Sequence, residues 1–95
     1  MPKKKEHILD FLDFAAFKIL QALREKNMSF TRLNECTPLS TPNFNNRLTT
    51  MIRLGLVEER LQVTEKGRKK KVYAITEKGR KILELLEEIE RTFRD

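Results

Sequence analysis

Residues 39–56 read Leu39-Ser-Thr-Pro-Asn-Phe-Asn-Asn-Arg-Leu-Thr-Thr-Met-Ile-Arg-Leu-Gly-Leu56. Thr41-Pro42 is a helix start: a threonine able to cap, then proline at the first helical position, where its missing N–H costs nothing. Gly55 is the residue expected just past a helix end. The spacing therefore predicts a helix from Pro42 to about Leu54. Phe44, Leu48, Met51 and Ile52 fall on one side of it and form its buried stripe. After Gly55 the period changes. Leu56 to Val63 is rich in branched apolar residues alternating with charges, and Lys71 to Thr76 reads as a second strand. Between them lies Thr64-Glu65-Lys66-Gly67-Arg68-Lys69-Lys70, a glycine-bearing turn. Together these make a hairpin with a cationic tip.

Upstream, Ser29 can cap a short second helix whose inner side carries Phe30, Leu33 and Cys36. The Thr37-Pro38 step stops it, because the residue before proline avoids helical angles. Before that, apolar residues fall at helical spacing from Ile8 to Lys26. Ile8, Leu12, Ala15, Ile19, Ala22 and Leu23 share one stripe, which Phe11, Phe14 and Phe17 widen. Asn27 is the expected end. Residues 1–7 are polar and basic and read as a flexible arm. Downstream, Thr76 caps a last helix from Glu77 to about Arg94. Ile82, Leu83, Leu85, Leu86, Ile89 and Phe93 are its apolar residues.

The hexapeptide Thr-Glu-Lys-Gly-Arg-Lys occurs twice, at 64–69 and at 76–81. Its two copies are expected to fold differently, the first in the hairpin tip and the second opening a helix. A unit this short is no solenoid repeat.

The 95 residues suffice for one small domain. Hydrophobic residues make up 39%, enough for a core, and charged residues 36%, well above the usual quarter. The net charge of +6 points to an anionic partner. No apolar run approaches the roughly 20 residues that span a bilayer, and Asp10 and Asp13 interrupt the segment behind the basic start. No membrane partner is expected, and the lone Cys36 suits a reducing, cytoplasmic setting. One cysteine and one histidine, His7, do not make a metal site. No Ser/His/Asp or Cys/His arrangement and no phosphate-binding glycine loop suggests an enzyme. No cofactor is implied, and Cys36 reads as packing.

The order is helix, helix, turn, helix, strand, basic turn, strand, helix. That is an α+β fold, mostly α: a winged helix-turn-helix with a three-helix core, a β-hairpin wing and a long C-terminal helix. The domain reads as 8–76, with 77–95 a dimerisation helix packed on it. Opposite the buried stripe of the third helix lie Asn43, Asn46, Thr49, Thr50 and Arg53, flanked by Asn45 and Arg47. This face has no acid, although the chain holds 14. Asn pairs with adenine, Arg with guanine, and the Thr methyl suits thymine. Asn43, Asn46, Thr50 and Arg53 are the candidates for reading bases. Thr41, Arg47, Lys66, Arg68, Lys69 and Lys70 are the candidates for holding phosphates.

Four stretches carry a family resemblance: Phe17-Lys-Ile-Leu-Gln-Ala-Leu23, Leu39 to Leu48, Arg53-Leu-Gly-Leu-Val-Glu-Glu59, and Tyr73-Ala-Ile-Thr-Glu-Lys-Gly-Arg80. Over residues 8–90 the chain resembles winged-helix transcriptional regulators of the MarR and PadR kind, especially compact archaeal and bacterial relatives. The resemblance implies a dimeric DNA-binding regulator. Its recognition helix enters the major groove, and its wing, around Gly67, touches the minor groove or backbone. The chain lacks the longer helical extensions of full MarR proteins, beside which their ligand pocket usually lies, so no residue is assigned to a small-molecule effector.

The expected function is a sequence-specific regulator of double-stranded DNA, most simply a repressor. The alternatives are an architectural, chromatin-type DNA coat and a protein-interaction module, the latter disfavoured by the basic wing. Phe11, Phe14, Ile82, Leu85, Leu86, Ile89 and Phe93 supply more apolar surface than one small core needs. They are the expected homodimer seam.

Overall fold

The computed structural model describes residues 11–94. The expected arm at 1–7, His7 and the helix start at Ile8 lie outside them. The elements are α1 (Phe14–Glu25), α2 (Phe30–Glu35), α3 (Thr41–Arg53), β1 (Val57–Val63), β2 (Lys69–Ile75) and α4 (Glu77–Arg94).

The first helix begins later than its apolar stripe suggests. Phe11–Asp13 are not helical, and the Asp13 side chain accepts the Ala16 N–H at 3.0 Å. An aspartate that satisfies one of the orphan amides of a helix start is more stable as a cap than as an interior residue. The apolar periodicity ran through it unbroken and hid the boundary. The helix ends at Glu25, with Lys26 already extended, rather than at Asn27. A second correction concerns α3. Ser40 is its N-cap residue, without a side-chain cap bond, and Thr41 is the first helical residue, with Pro42 behind it. The Thr41 hydroxyl is engaged by the Asn34 amide at 3.0 Å, which ties α3 to α2.

The end of α3 is fixed by the backbone. Leu56 N–H bonds to Met51 C=O at 2.9 Å and Gly55 N–H to Ile52 C=O at 3.0 Å, with Gly55 at φ 79°. This paired closure needs a left-handed residue, which glycine adopts without strain. The chain then enters an antiparallel hairpin whose register runs from Val57 opposite Ile75 to Val63 opposite Lys69. The second strand starts two residues earlier than its sequence suggests, so Lys69 and Lys70 are strand residues. Tyr73 also pairs with Met28 in a single bridge, at 2.7 and 3.1 Å, which sequence reading missed.

One core joins all elements. Ala16, Ile19, Leu20 and Leu23 of α1, Leu33 of α2, and Phe44, Leu48 and Met51 of α3 meet Leu56, Val57, Tyr73, Ile75 and Leu83. Phe30 packs edge-on to Phe44, ring centroids 4.9 Å apart. Cys36 is not part of this core: it is exposed, its Sγ 4.0 Å from Met28 Sδ. The α2 helix ends at Glu35, so Cys36 sits past its last turn and leaves the inner face that Leu33 occupies.

Helix α4 is joined to the rest at its start and again past its middle. The Thr76 hydroxyl accepts Gly79 N–H at 2.9 Å and donates to Gly55 C=O at 2.6 Å. Farther along, Arg24 donates to Glu87 at 2.6 Å and links α1 to α4. The Arg24 hydrogen bond holds the Glu87 carboxyl below its ordinary 4.5, and the same bond raises the Arg24 guanidinium. A carboxyl with a lowered folded value contributes stability that is present above 4.5 and lost as pH falls through the lowered value. Glu87→Gln is therefore expected to reduce stability at neutral pH by less than about 1 kcal/mol, since the pair is partly exposed. Thermal melts of the two proteins should converge on acidification below about pH 4. A constant difference down to strongly acid pH would remove the pair from the stability balance.

Candidate nucleic-acid interface

Helix α3 buries Phe44, Leu48 and Met51 and turns its other side outward. Thr41, Asn43, Asn45, Asn46, Thr49 and Arg53 are exposed, and Arg47 and Thr50 are half-buried. Thus the face read from the sequence is brought together on one helix. Thr50 donates its hydroxyl proton to Asn46 C=O at 3.0 Å, so from its own side it faces a partner only as an acceptor or through its methyl group.

One residue of this face has neighbours that the sequence did not reveal. Arg47 donates to the Asp13 carboxylate at 2.5 Å and to Phe11 C=O at 3.4 Å. The face carries no acid of its own, but Asp13, from the start of α1, reaches it. The two residues are 34 positions apart, and no local signal couples them. Arg47 is therefore a tether between α1 and α3 as well as a cation. Phe11, half-buried, lines a hollow with Leu39, Asn43, Asn46, Arg47 and Thr50. In the single chain it belongs to the α3 side.

The hairpin presents cations at two levels. Its turn is closed by Thr64 N–H to Arg68 C=O at 2.8 Å and Gly67 N–H to Thr64 C=O at 2.9 Å. Gly67 is at φ 78°. Lys66 and Arg68 sit in the turn, while Lys69 and Lys70 begin β2, all four exposed. Lys71 instead lies 3.5 Å from Glu59, and Arg60 pairs with Glu58. Even so, the tip carries Glu65 as its one acid against four cations.

A polar helix beside a cationic two-stranded arm presents hydrogen-bond donors to groove edges and charge to a phosphate backbone. The sequence matches the winged helix-turn-helix family over residues 15–94. The chain belongs to that family. Its winged helix resembles that of a PadR family transcription regulator from Clostridium difficile, with a TM-score of 0.73 and 19% identity over 86% of this chain and 92% of the other. A PadR-like transcriptional regulator from Bacillus cereus gives 0.71 and 26% over 83% and 82%. Bacillus subtilis PadR, solved in complex with operator DNA, gives 0.58 and 18% over 73% of this chain and 44% of that one. Among curated proteins none gives a significant sequence match.

In this winged helix the C-terminal stripe divides. Leu83 is fully buried, and Ile82 and Leu86 pack partly against the chain's own core. Leu85, Ile89 and Phe93 are exposed, at 45%, 65% and 88%. Helical spacing could not separate these two sets, because both lie on one broad apolar arc. Of the apolar residues of this helix, only Leu85, Ile89 and Phe93 face outward from the single chain. Phe14, also exposed, lies 5.8 Å beneath the Lys18 ammonium. Among the described residues, no group of three or more His, Cys, Asp or Glu is placed to hold a metal ion, and no helix is long and apolar enough to cross a membrane.

Proposed function

We propose that the chain is a sequence-specific, cytoplasmic regulator of double-stranded DNA, a repressor acting as a homodimer. The observation that carries this reading is the outward face of α3. It holds three asparagines, two threonines and Arg53, with no carboxylate in the helix, beside an arm of four cations. An ordinary solvated face in so charged a protein would include glutamate. The complex of Bacillus subtilis PadR with operator DNA supports the same reading by likeness of fold. In this account α3 lies in the major groove, with Asn43, Asn46, Thr50 and Arg53 at base edges. The hairpin lies on the backbone or in the adjacent minor groove. Residues 8–76 form the DNA-binding part and 77–95 the dimerisation helix.

Selection of bound sequences from a random DNA pool tests this. A palindromic consensus is expected, with half-sites about one helical turn, or roughly 34 Å, apart. An architectural protein would show no consensus and a ratio of specific to non-specific affinity far below about 10³. Asn46→Ala and Arg53→Ala should each weaken the selected site by about 1–3 kcal/mol, more than they weaken random DNA. Equal losses on both DNAs would take these two residues out of base reading.

A further inference from the structure

Between α2 and the hairpin lies a hollow lined by Lys26, Ser29, Arg32, Gln62 and Lys70, with Met28 and the buried Val72 at its base. Its three cations come from three separate places: the residue after α1, the exposed side of α2, and the start of β2. No carboxylate lines it. None of the three cations forms an ion pair with a described residue, whereas Arg24, Arg47, Arg60, Lys71 and Arg94 all do. By contrast, the hollows along α4 mix cations with Glu77 and Glu84, or with Glu87 and Glu90. Like charges converging without a counter-ion raise the local potential and repel one another, so the arrangement is complete only with an anion.

The position says which anion. The Met28–Tyr73 bridge pins the link between α1 and α2 against β2, fixing Lys26 and Arg32 relative to Lys70. Helix α2 is the first helix of the helix-turn-helix, the one that crosses the sugar-phosphate backbone when its partner lies in the major groove. The cationic arm lies on the other side of the same hollow. The lining is polar, and its apolar atoms are at the base, which suits an anionic strand rather than lipid. Resting on the DNA reading above, we propose that Lys26 and Arg32, together with Lys70, clamp a backbone phosphate of duplex DNA. This phosphate lies where the strand passes between the groove held by α3 and the groove met by the hairpin. The Arg32 guanidinium and the Lys26 ammonium donate to its oxygens, and the Ser29 hydroxyl, whose oxygen caps Arg32 N–H at 3.4 Å, has its proton free to donate as well.

The test is the salt dependence of binding by the full chain to duplex DNA, using the selected site and a random duplex. Lys26→Gln with Arg32→Gln should lower the slope of log K against log salt by about 0.9, the share of one phosphate, or roughly 8-fold in affinity near 0.1 M salt, equally on both DNAs. A control with the same change in net charge, Arg80→Gln with Lys81→Gln, alters cations that share their hollow with Glu77 and Glu84 and should leave the slope nearly unchanged. Phosphate ethylation interference supplies a second readout. Arg32→Gln alone should become indifferent to one phosphate per half-site that blocks the unaltered protein. The proposal is overturned if both double variants lower the slope alike, or if Lys26→Gln with Arg32→Gln binds as the parent does. In the latter case a parent that still selects a consensus leaves the wider DNA reading intact. A parent that binds no duplex overturns both.

Discussion

Gly79→Ala is expected to lower the melting temperature by roughly 12–24 °C, corresponding to about 3 kcal/mol in a domain of this size. A methyl group at this position would lie 2.2 Å from the carbonyl oxygen of Leu56, 3.1 Å from its carbon and 2.9 Å from Ile75 Cγ1. The first two are backbone atoms and cannot swing aside. That same carbonyl accepts Thr76 N–H at 3.1 Å, and Leu56 is a core residue, so relieving the clash breaks a hydrogen bond and loosens the core. Alanine is worth about 1 kcal/mol more than glycine inside a helix. Overpacking against rigid backbone exceeds that gain. Gly67→Ala is the comparison. Nothing lies within 4 Å of its added carbon, and only the φ of 78° resists the change, at about 1–2 kcal/mol. Thermal melts of the two variants side by side decide the matter. Equal melting temperatures would mean that α4 does not seat against Leu56 as described.

The second large effect concerns assembly. Ile89→Glu with Phe93→Glu is expected to convert a dimer into a folded monomer and to reduce affinity for a palindromic site by at least about 100-fold. Two linked half-site modules gain roughly that factor or more from effective concentration. Both side chains are largely exposed in the single chain, so their replacement leaves the core untouched, whereas glutamate at the half-buried Leu86 would strike the core as well. In a two-fold seam each substitution appears twice, placing four carboxylates close together in an apolar contact. Sedimentation at micromolar concentration, with melting as a check on folding, reads the outcome. A parent protein that sediments as a monomer refutes the dimer and the palindrome together.

Helix α3 was legible because its boundaries are local: proline near one end, glycine just past the other, and an apolar stripe between. The last helix was legible for the same reason, from Thr76 onward. The start of α1 was not, because the apolar period continues through a residue whose capping role depends on where the chain turns. The Met28 bridge and the Asp13–Arg47 pair are contacts between distant positions, which no window of sequence contains. The repeated hexapeptide makes the point within one chain. In the copy at 64–69 the threonine hydroxyl accepts Arg68 N–H and the glycine is left-handed. In the copy at 76–81 the threonine hydroxyl accepts Gly79 N–H and the glycine lies buried in a helix. The same six side chains support both shapes; the apolar run after Lys81 and the strand after Lys69 select between them.

Thr76 has a mechanical consequence. With one hydroxyl it holds the Gly55 carbonyl, just past α3, and the Gly79 amide in the first turn of α4, while Leu83 and the Arg24–Glu87 pair seat the helix farther along, so α4 moves with the domain as one stiff arm. Helix α4 has 18 residues, a lever arm of roughly 27 Å, so a tilt of about 5° at its start moves its far end by roughly 2 Å. If the far ends of two such arms are fixed to each other, the same rotation appears as a change in the distance between the two α3 helices. The spacing of half-sites that the protein accepts is then set as much by the angle at Thr76 as by any residue that touches DNA.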